Sequence, residues 1–321
     1  MSEFYNESVK SKFLMRYGVG SQKIFARIFR FSQSLEEEYG TDMSNFTLDQ
    51  IGAVLKKLKP ASEASSRNST SCIFTYINWA IEEGLSSLSV NPLSDKTLDW
   101  CRSFIVPITE LSESRFNSLE RNCVNAQDAV ILRLIFEGVK GDGCAELLQL
   151  TMRDVDFERG VLTLTNQDQS IRYLEVSQQA LYLIKLAARE TLYQKKNGSF
   201  SGTTKNPHTR LVENEYVIRS SITRNENVHA ADKFLIYRRL SMLSEVFQLP
   251  KLNVNMIERS GMMKMAKDLL EAEGKLEREQ YFKIAERFNI AKRINNGIEE
   301  YNYYPLKSFL NEKAVRELYN L

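Results

Sequence analysis

The stretch FEGVKGDGCAELLQLTMRDVDF, residues 136–157, constrains the fold of this chain more than any other. It leaves an apolar segment, AQDAVILRLIFEG, that has almost no polar face. A helix apolar nearly all round belongs in a protein interior. Gly138, Gly141 and Gly143 then crowd around Lys140 and Asp142. Glycines this dense mark a sharp bend, or a place where backbone approaches something closely. The chain resumes as a short apolar helix, Ala145 to Leu150, and leads towards a strand. Glu158-Arg159-Gly160 turns into VLTLT, and NQDQS turns back into IRYLEV. Threonine and valine alternating with leucine between polar turns predict a β-hairpin.

The chain before this region reads as helices. SQKIFARIFRFSQSLEEEYG sets Ile24, Ile28, Phe31 and Leu35 on one stripe, which Phe25 and Phe29 widen, and Gly40 ends the helix. TLDQIGAVLKKL is amphipathic, with Thr47 as N-cap. ASSRNSTSCIFTYINWAIEEG turns Ile73, Phe74, Ile77 and Ala80 inward and closes at Gly84. Asn91-Pro92 stops this block, giving a helical domain over 1–92 and a linker over 93–107. The second domain, 108–321, opens with the helix ITELSESRFNSLERN. It continues through SQQALYLIKLAARETLY, a polar loop over 194–214 and a short strand, YVIR. From Ala231 it reads as helical throughout, ending in a tail over 305–321. The fold class is mainly α with a small antiparallel sheet.

Composition narrows the function classes. The 321 residues carry a net charge of only +2, so any nucleic-acid binding must come from local patches. Cys72, Cys101, Cys123 and Cys144 form no CxxC pair and lie far from His208 and His229, which argues against a metal site or a disulfide framework. No cofactor motif occurs. The start has no signal-peptide pattern, and no run approaches the roughly 18–20 apolar residues of a membrane span. A cytoplasmic protein, nucleoid-associated when bound to DNA, is expected.

The order of elements resembles the tyrosine recombinase, or phage integrase, family over nearly the whole chain. The resemblance is carried by the helical block ending at Asn91-Pro92, by ITELSESRF, by EGVKGDGCAELLQLTMRDVDFERGVLTL and by the segment around IERSGMM. It implies a two-domain clamp on duplex DNA: a helical core-binding domain and an α+β catalytic-like domain. It also implies a set of phosphoryl-transfer residues, because charge on the phosphoryl oxygens must be met by fixed cations. Transferred one by one, that set is largely missing. The first arginine falls at Gly143, three before Glu146, with Lys140 as a nearby substitute. The hairpin lysine falls in NQDQS, which has none. A histidine falls at Met256, and the later one near residues 287–289, where none occurs. The second arginine is present as Arg259, and the nucleophile region holds Tyr301, Tyr303 and Tyr304. Arg259 also fits an ordinary salt-bridged arginine, and the tyrosines fit packing before Pro305.

The expectation is a DNA-binding regulator on a disarmed scaffold: a phage or prophage repressor that holds lysogeny by occupying a double-stranded operator. Ser65 to Thr70 are read as opening a helix whose N-terminus suits phosphate, with Ser66 and Thr70 in that set and Arg67 or Asn68 reaching base edges. Ordinary serine capping is the competing account. The polar loop adds Lys195, Lys196, Lys205 and Arg210, followed by Arg219 and Arg224, with Arg238, Arg239 and Lys264 further on. Lys140 and Arg259 complete the candidate phosphate contacts. Two alternatives stay open. One is a divergent recombinase using Lys140, Arg259 and one of the three tyrosines. The other is an accessory protein whose tail, Leu306 to Leu318, docks on a second copy or on a phage or host protein.

Overall fold

The structure, a computed structural model, describes residues 4–106, 109–200, 206–222, 229–249, 252–295 and 297–321. It divides into two compact units, Met1–Ile108 and Thr109–Leu321. The fold is mostly helical with small antiparallel sheets.

The first unit contains α1 (Glu7–Leu14), α2 (Val19–Tyr39), α3 (Leu48–Leu58), α4 (Glu63–Glu82) and α5 (Leu98–Arg102). Helix α3 starts as its sequence predicts. The Thr47 hydroxyl accepts from the Gln50 N–H while the Thr47 N–H donates to the Gln50 side chain, which satisfies two otherwise orphaned donors. Phe13 sits among Phe25, Phe29, Tyr76 and Trp79, with ring centroids 4.9 to 6.0 Å away. The expected stripe on α2 is rotated. Ile24 and Phe31 are 45% and 39% exposed, and the buried face is Phe25, Ile28, Phe29, Ser32, Leu35 and Glu36. A buried ion pair explains the rotation. Lys10 Nζ lies 2.6 and 2.5 Å from the two Glu36 oxygens, and Ser32 Oγ and the Met43 N–H also donate to that carboxylate. A carboxylate so fully partnered holds its own helix face inward.

The stretch 93–107, expected as a linker, corrects to part of this unit. Leu93 and Phe104 belong to its core, and Asn91 Nδ2 donates to Phe74 O and Asn78 Oδ1. Apolar side chains at Leu93, Trp100 and Phe104 have a core to join, so the segment folds onto α4 rather than running free.

The second unit is built around α7 (Ala126–Phe136), whose residues Gln127 to Phe136 are all buried. Around it lie α6 (Glu113–Arg121), α8 (Ala145–Gln149), α9 (Gln178–Arg189), α10 (Lys233–Val246), α11 (Val254–Glu273), α12 (Arg278–Arg287) and α13 (Glu312–Tyr319). At Gly261, α11 meets α7 so closely that a Cβ there would lie 1.8 Å from the Phe136 carbonyl oxygen. The hairpin forms as expected: β1 (Val155–Asp156), β2 (Val161–Thr165) and β3 (Ile171–Glu175) make one antiparallel sheet, with Leu162 opposite Leu174.

Three expectations are overturned in this unit. YVIR is no strand; Tyr216 makes an isolated bridge to Thr151. The polar loop contains paired strands, β4 (Leu192–Gln194) and β5 (His208–Arg210). The region after Ala231 is not wholly helical, because β6 (Lys292–Asn295) and β7 (Ile298–Tyr301) form a hairpin. The tail does not present a free apolar face either. Leu306, Leu310 and Val315 are buried with Met262, Ala266 and Leu270 of α11 and Ile284 of α12, so its apolar side is occupied within its own unit. Among the described residues, no helix is long and apolar enough to cross a membrane.

Candidate functional site

A cleft of about 800 Å³ opens in the second unit where the glycine turn, the β2–β3 turn, α11 and the β6–β7 hairpin converge. Its floor is held by Arg172 of β3. The guanidinium donates to both Glu146 oxygens, at 2.6 and 2.7 Å, and to the carbonyls of Gly138 and Arg287, at 2.7 and 2.8 Å. One side chain thus ties the end of α7, the start of α8 and the end of α12 together. Asn166 Oδ1 accepts from the Asp142 N–H at 2.8 Å and fixes the glycine turn to the hairpin. Lys140 reaches Glu258 of α11 at 2.7 Å. Lys292, at the hairpin start, faces Glu299 at 3.3 Å. In all, Asp142, Glu146, Asp168, Glu258 and Glu299 oppose Lys140, Arg172 and Lys292, five carboxylates to three cations.

The family positions scatter around this cleft. The β2–β3 turn and Tyr301 line it, and so does Lys140, although Lys140 was expected to precede the bend as a doubtful substitute. Gly143 does not. It sits at φ +59°, and a Cβ there would find only Lys233 and Gln167 near van der Waals distance. Met256 is buried. Arg259 is not free for a phosphate: it is ion-paired with Glu110 and lies over the Phe309 ring, 3.8 Å from its centroid. Burial pushes its pKa down, and Glu110 opposes that. Adjacent helical residues point about 100° apart, so Glu258 turning into the cleft leaves Arg259 outside it. Tyr303 is buried against Tyr281, and Tyr304 stands under Arg293, 4.4 Å from the ring centroid. Hydrogen bonding from Tyr303 and then Arg293 lowers the Tyr304 pKa, yet this tyrosine does not line the cleft.

The candidate DNA contacts divide by burial. Helix α4 begins one turn earlier than expected, at Ser62, whose hydroxyl accepts from the Ser65 N–H. Ser66 and Thr70 therefore face inward and do not present hydroxyls to a ligand. Ser66 is fully buried and donates to Cys101 O, while Thr70 donates to Ser66 O. Arg67 and Asn68 are exposed on the outer face, with Arg67 4.0 Å from Glu63. Lys196 and Arg210 are exposed, and Lys205 and Arg224 lie outside the described residues. Arg219 and Arg239 are structural: Arg219 donates to the carbonyls of Ala187 and Ala188, and Arg239 pairs with buried Asp128. Sequence reasoning missed Arg172 and Glu258, whose partners lie 26 and 118 positions away.

Burial pushes the Glu258 carboxyl above its ordinary value, with Glu146 adding to the rise and Lys140 opposing it. A carboxyl raised in the folded state binds more protons there than when unfolded, so its contribution to stability is lost as pH rises through the folded value. Between the ordinary value of 4.5 and that raised value, the second unit should lose stability with rising pH. Glu258→Gln should flatten this slope in urea titrations across that range. An unchanged slope would mean that Glu258 ionises as it does in the unfolded chain.

Residues 111–320 match the family described as MrpR, C-terminal catalytic domain, and residues 4–82 match MrpR, N-terminal core-binding domain. The chain belongs to the MrpR family. A relative in this comparison is the SPbeta prophage-derived uncharacterized protein YopR of Bacillus subtilis (strain 168), 31% identical over 325 residues, which cover 98% of this chain and 96% of YopR. Solved structures similar to this MrpR-family chain include the XerA recombinase, at 13% identity, 98% and 97% coverage and a TM-score of 0.42. The Tn1549 transposon integrase in complex with circular intermediate DNA matches at 14% identity, 97% coverage of each chain and a TM-score of 0.45.

Proposed function

We propose that this chain is a sequence-specific double-stranded DNA-binding regulator, a prophage repressor that maintains lysogeny, on a recombinase scaffold that no longer cleaves strands. The charge of the cleft carries this reading. A phosphoryl-transfer site must gather cations around a phosphodiester. Here five carboxylates outnumber three cations, and each cation already faces a carboxylate. A phosphate entering the cleft would meet net repulsion. The pairing of a core-binding with a catalytic-type domain, and a relative of prophage origin, favour a protein that holds DNA in that setting.

Binding would use the outer face of α4, where Arg67 and Asn68 are exposed, and the exposed Lys196 and Arg210, with Lys205 and Arg224 as further candidates. Gel-shift competition with genomic operator fragments against scrambled DNA tests this. A specific site should be bound about 10³-fold or more tightly, with an affinity falling at a log–log salt slope of about −0.9 per neutralised phosphate. Arg67→Ala should weaken the specific complex by about 1–3 kcal/mol if that side chain reads a base. Ser66→Ala should alter stability and leave binding intact. Equal retention of scrambled DNA would sink the repressor reading.

The divergent-recombinase reading keeps one favourable observation: Tyr301 and Lys140 line the same cleft. A suicide substrate run on a denaturing gel separates the two readings. The wild-type chain should give no covalent adduct, and Gly143→Arg should give none either, because one arginine at a positive-φ position outside the cleft restores neither the charge nor the geometry. An adduct abolished by Tyr301→Phe would establish the recombinase.

A further inference from the structure

We propose that the cleft is a receptor for an organic cation, an alkylammonium or guanidinium group. The three resident cations are each matched by one carboxylate: Arg172 by Glu146, Lys140 by Glu258 and Lys292 by Glu299. That leaves Asp142 and Asp168 as unmatched negative charges at the exposed rim. Asp168 accepts from the Ser170 N–H and hydroxyl, which hold its carboxyl below the usual range and keep it charged. The floor adds an independent sign of a missing partner. Glu258 is only 6% exposed, and while one of its oxygens contacts Lys140, the other, Oε1, makes no hydrogen bond. A buried carboxylate oxygen without a donor is an unfavourable arrangement that an entering N–H group relieves.

Size and lining select the class of cation. About 800 Å³ falls within the range of sites for organic ligands. Among the described residues, no three His, Cys, Asp or Glu side chains are placed to hold a metal ion. Phe288 and Tyr301 line the same cleft, and aromatic rings beside carboxylates suit guanidinium and alkylammonium groups. Two sources share this chemistry: a free polyamine-like molecule, or a lysine or arginine side chain on a basic segment of another protein. The proposal does not depend on DNA binding.

Calorimetric titration of the intact chain at physiological ionic strength tests it, with agmatine, a tri-arginine peptide and magnesium chloride as probes. Saturable binding of agmatine is the expected result for a free cation. Saturable binding of tri-arginine alone assigns the site to a basic segment of a partner. In either case Asp142→Asn combined with Asp168→Asn should weaken binding at least tenfold, with an unchanged Tm, because both side chains are exposed. The absence of saturable binding by either probe would overturn the proposal, as would equal affinity in the double variant. Magnesium binding with the same carboxylate dependence would overturn it too, by making the cleft a metal site.

Discussion

Glu146→Ala should cost the second unit about 3–5 kcal/mol, the range for removing one partner of a buried ion pair. Glu146 is 1% exposed and Arg172 is 19% exposed at its side chain, so the guanidinium left behind has little water to turn to. The same carboxylate also accepts from the Lys140 N–H at 3.1 Å and from Asn289 Nδ2 at 3.3 Å. Its loss therefore loosens the glycine turn, β3 and the end of α12 together. Urea denaturation followed by far-UV circular dichroism should show the shift. Both tryptophans, Trp79 and Trp100, lie in the first unit, so their fluorescence transition serves as an internal control and should stay in place. Glu146→Gln keeps the shape and the acceptor oxygen and should recover part of the loss. A loss under about 1 kcal/mol for Glu146→Ala would mean that Arg172 rehydrates and that the pair is not structural.

Gly261→Ala should also destabilise, against the sign that helix propensity gives. Replacing a mid-helix glycine with alanine ordinarily gains about 1 kcal/mol. Here the new methyl carbon would lie 1.8 Å from Phe136 O and 3.1 Å from the Phe288 ring, where contact distances are about 3.5 Å or more. The neighbour is backbone and cannot rotate away, so α7 and α11 must separate. Overpacking of this kind costs about 1–3 kcal/mol and occasionally more, and a net loss of about 3 kcal/mol is expected. Gly20→Ala in α2 is the matched control. Nothing lies within 4 Å of its added carbon, so it should be neutral or stabilising. A Gly261→Ala chain as stable as wild type would mean that the helix crossing is looser than described.

What was legible in the sequence was local. The Thr47 capping box, the Gly40 terminus, the buried α7 and the β2–β3 hairpin follow from near-neighbour rules of capping, periodicity and turn chemistry. The β6–β7 hairpin carried a usable sign, the dipeptide Asn296-Gly297 between two short runs, which the strong helical pattern around it obscured. The face of α2 was misread because its orientation depends on Lys10 pairing with Glu36, a contact between separate helices. The candidate site was legible in outline only. Counting along the motif locates Gly143 and Arg259, but which of Glu258 and Arg259 enters the cleft depends on the rotation of α11, which no spacing in the sequence sets.

The contact at Gly261 fixes that rotation. A helix lying on its neighbour with only a hydrogen atom between them can neither slide nor roll without backbone collision. The phase of α11 is thus locked, with Glu258 inside and Arg259 outside. No effector can rearm the cleft by twisting this helix, so its character is written into residue identity and is beyond the reach of allostery. Any control over such a protein has to act on where it is bound or on what fills the cleft.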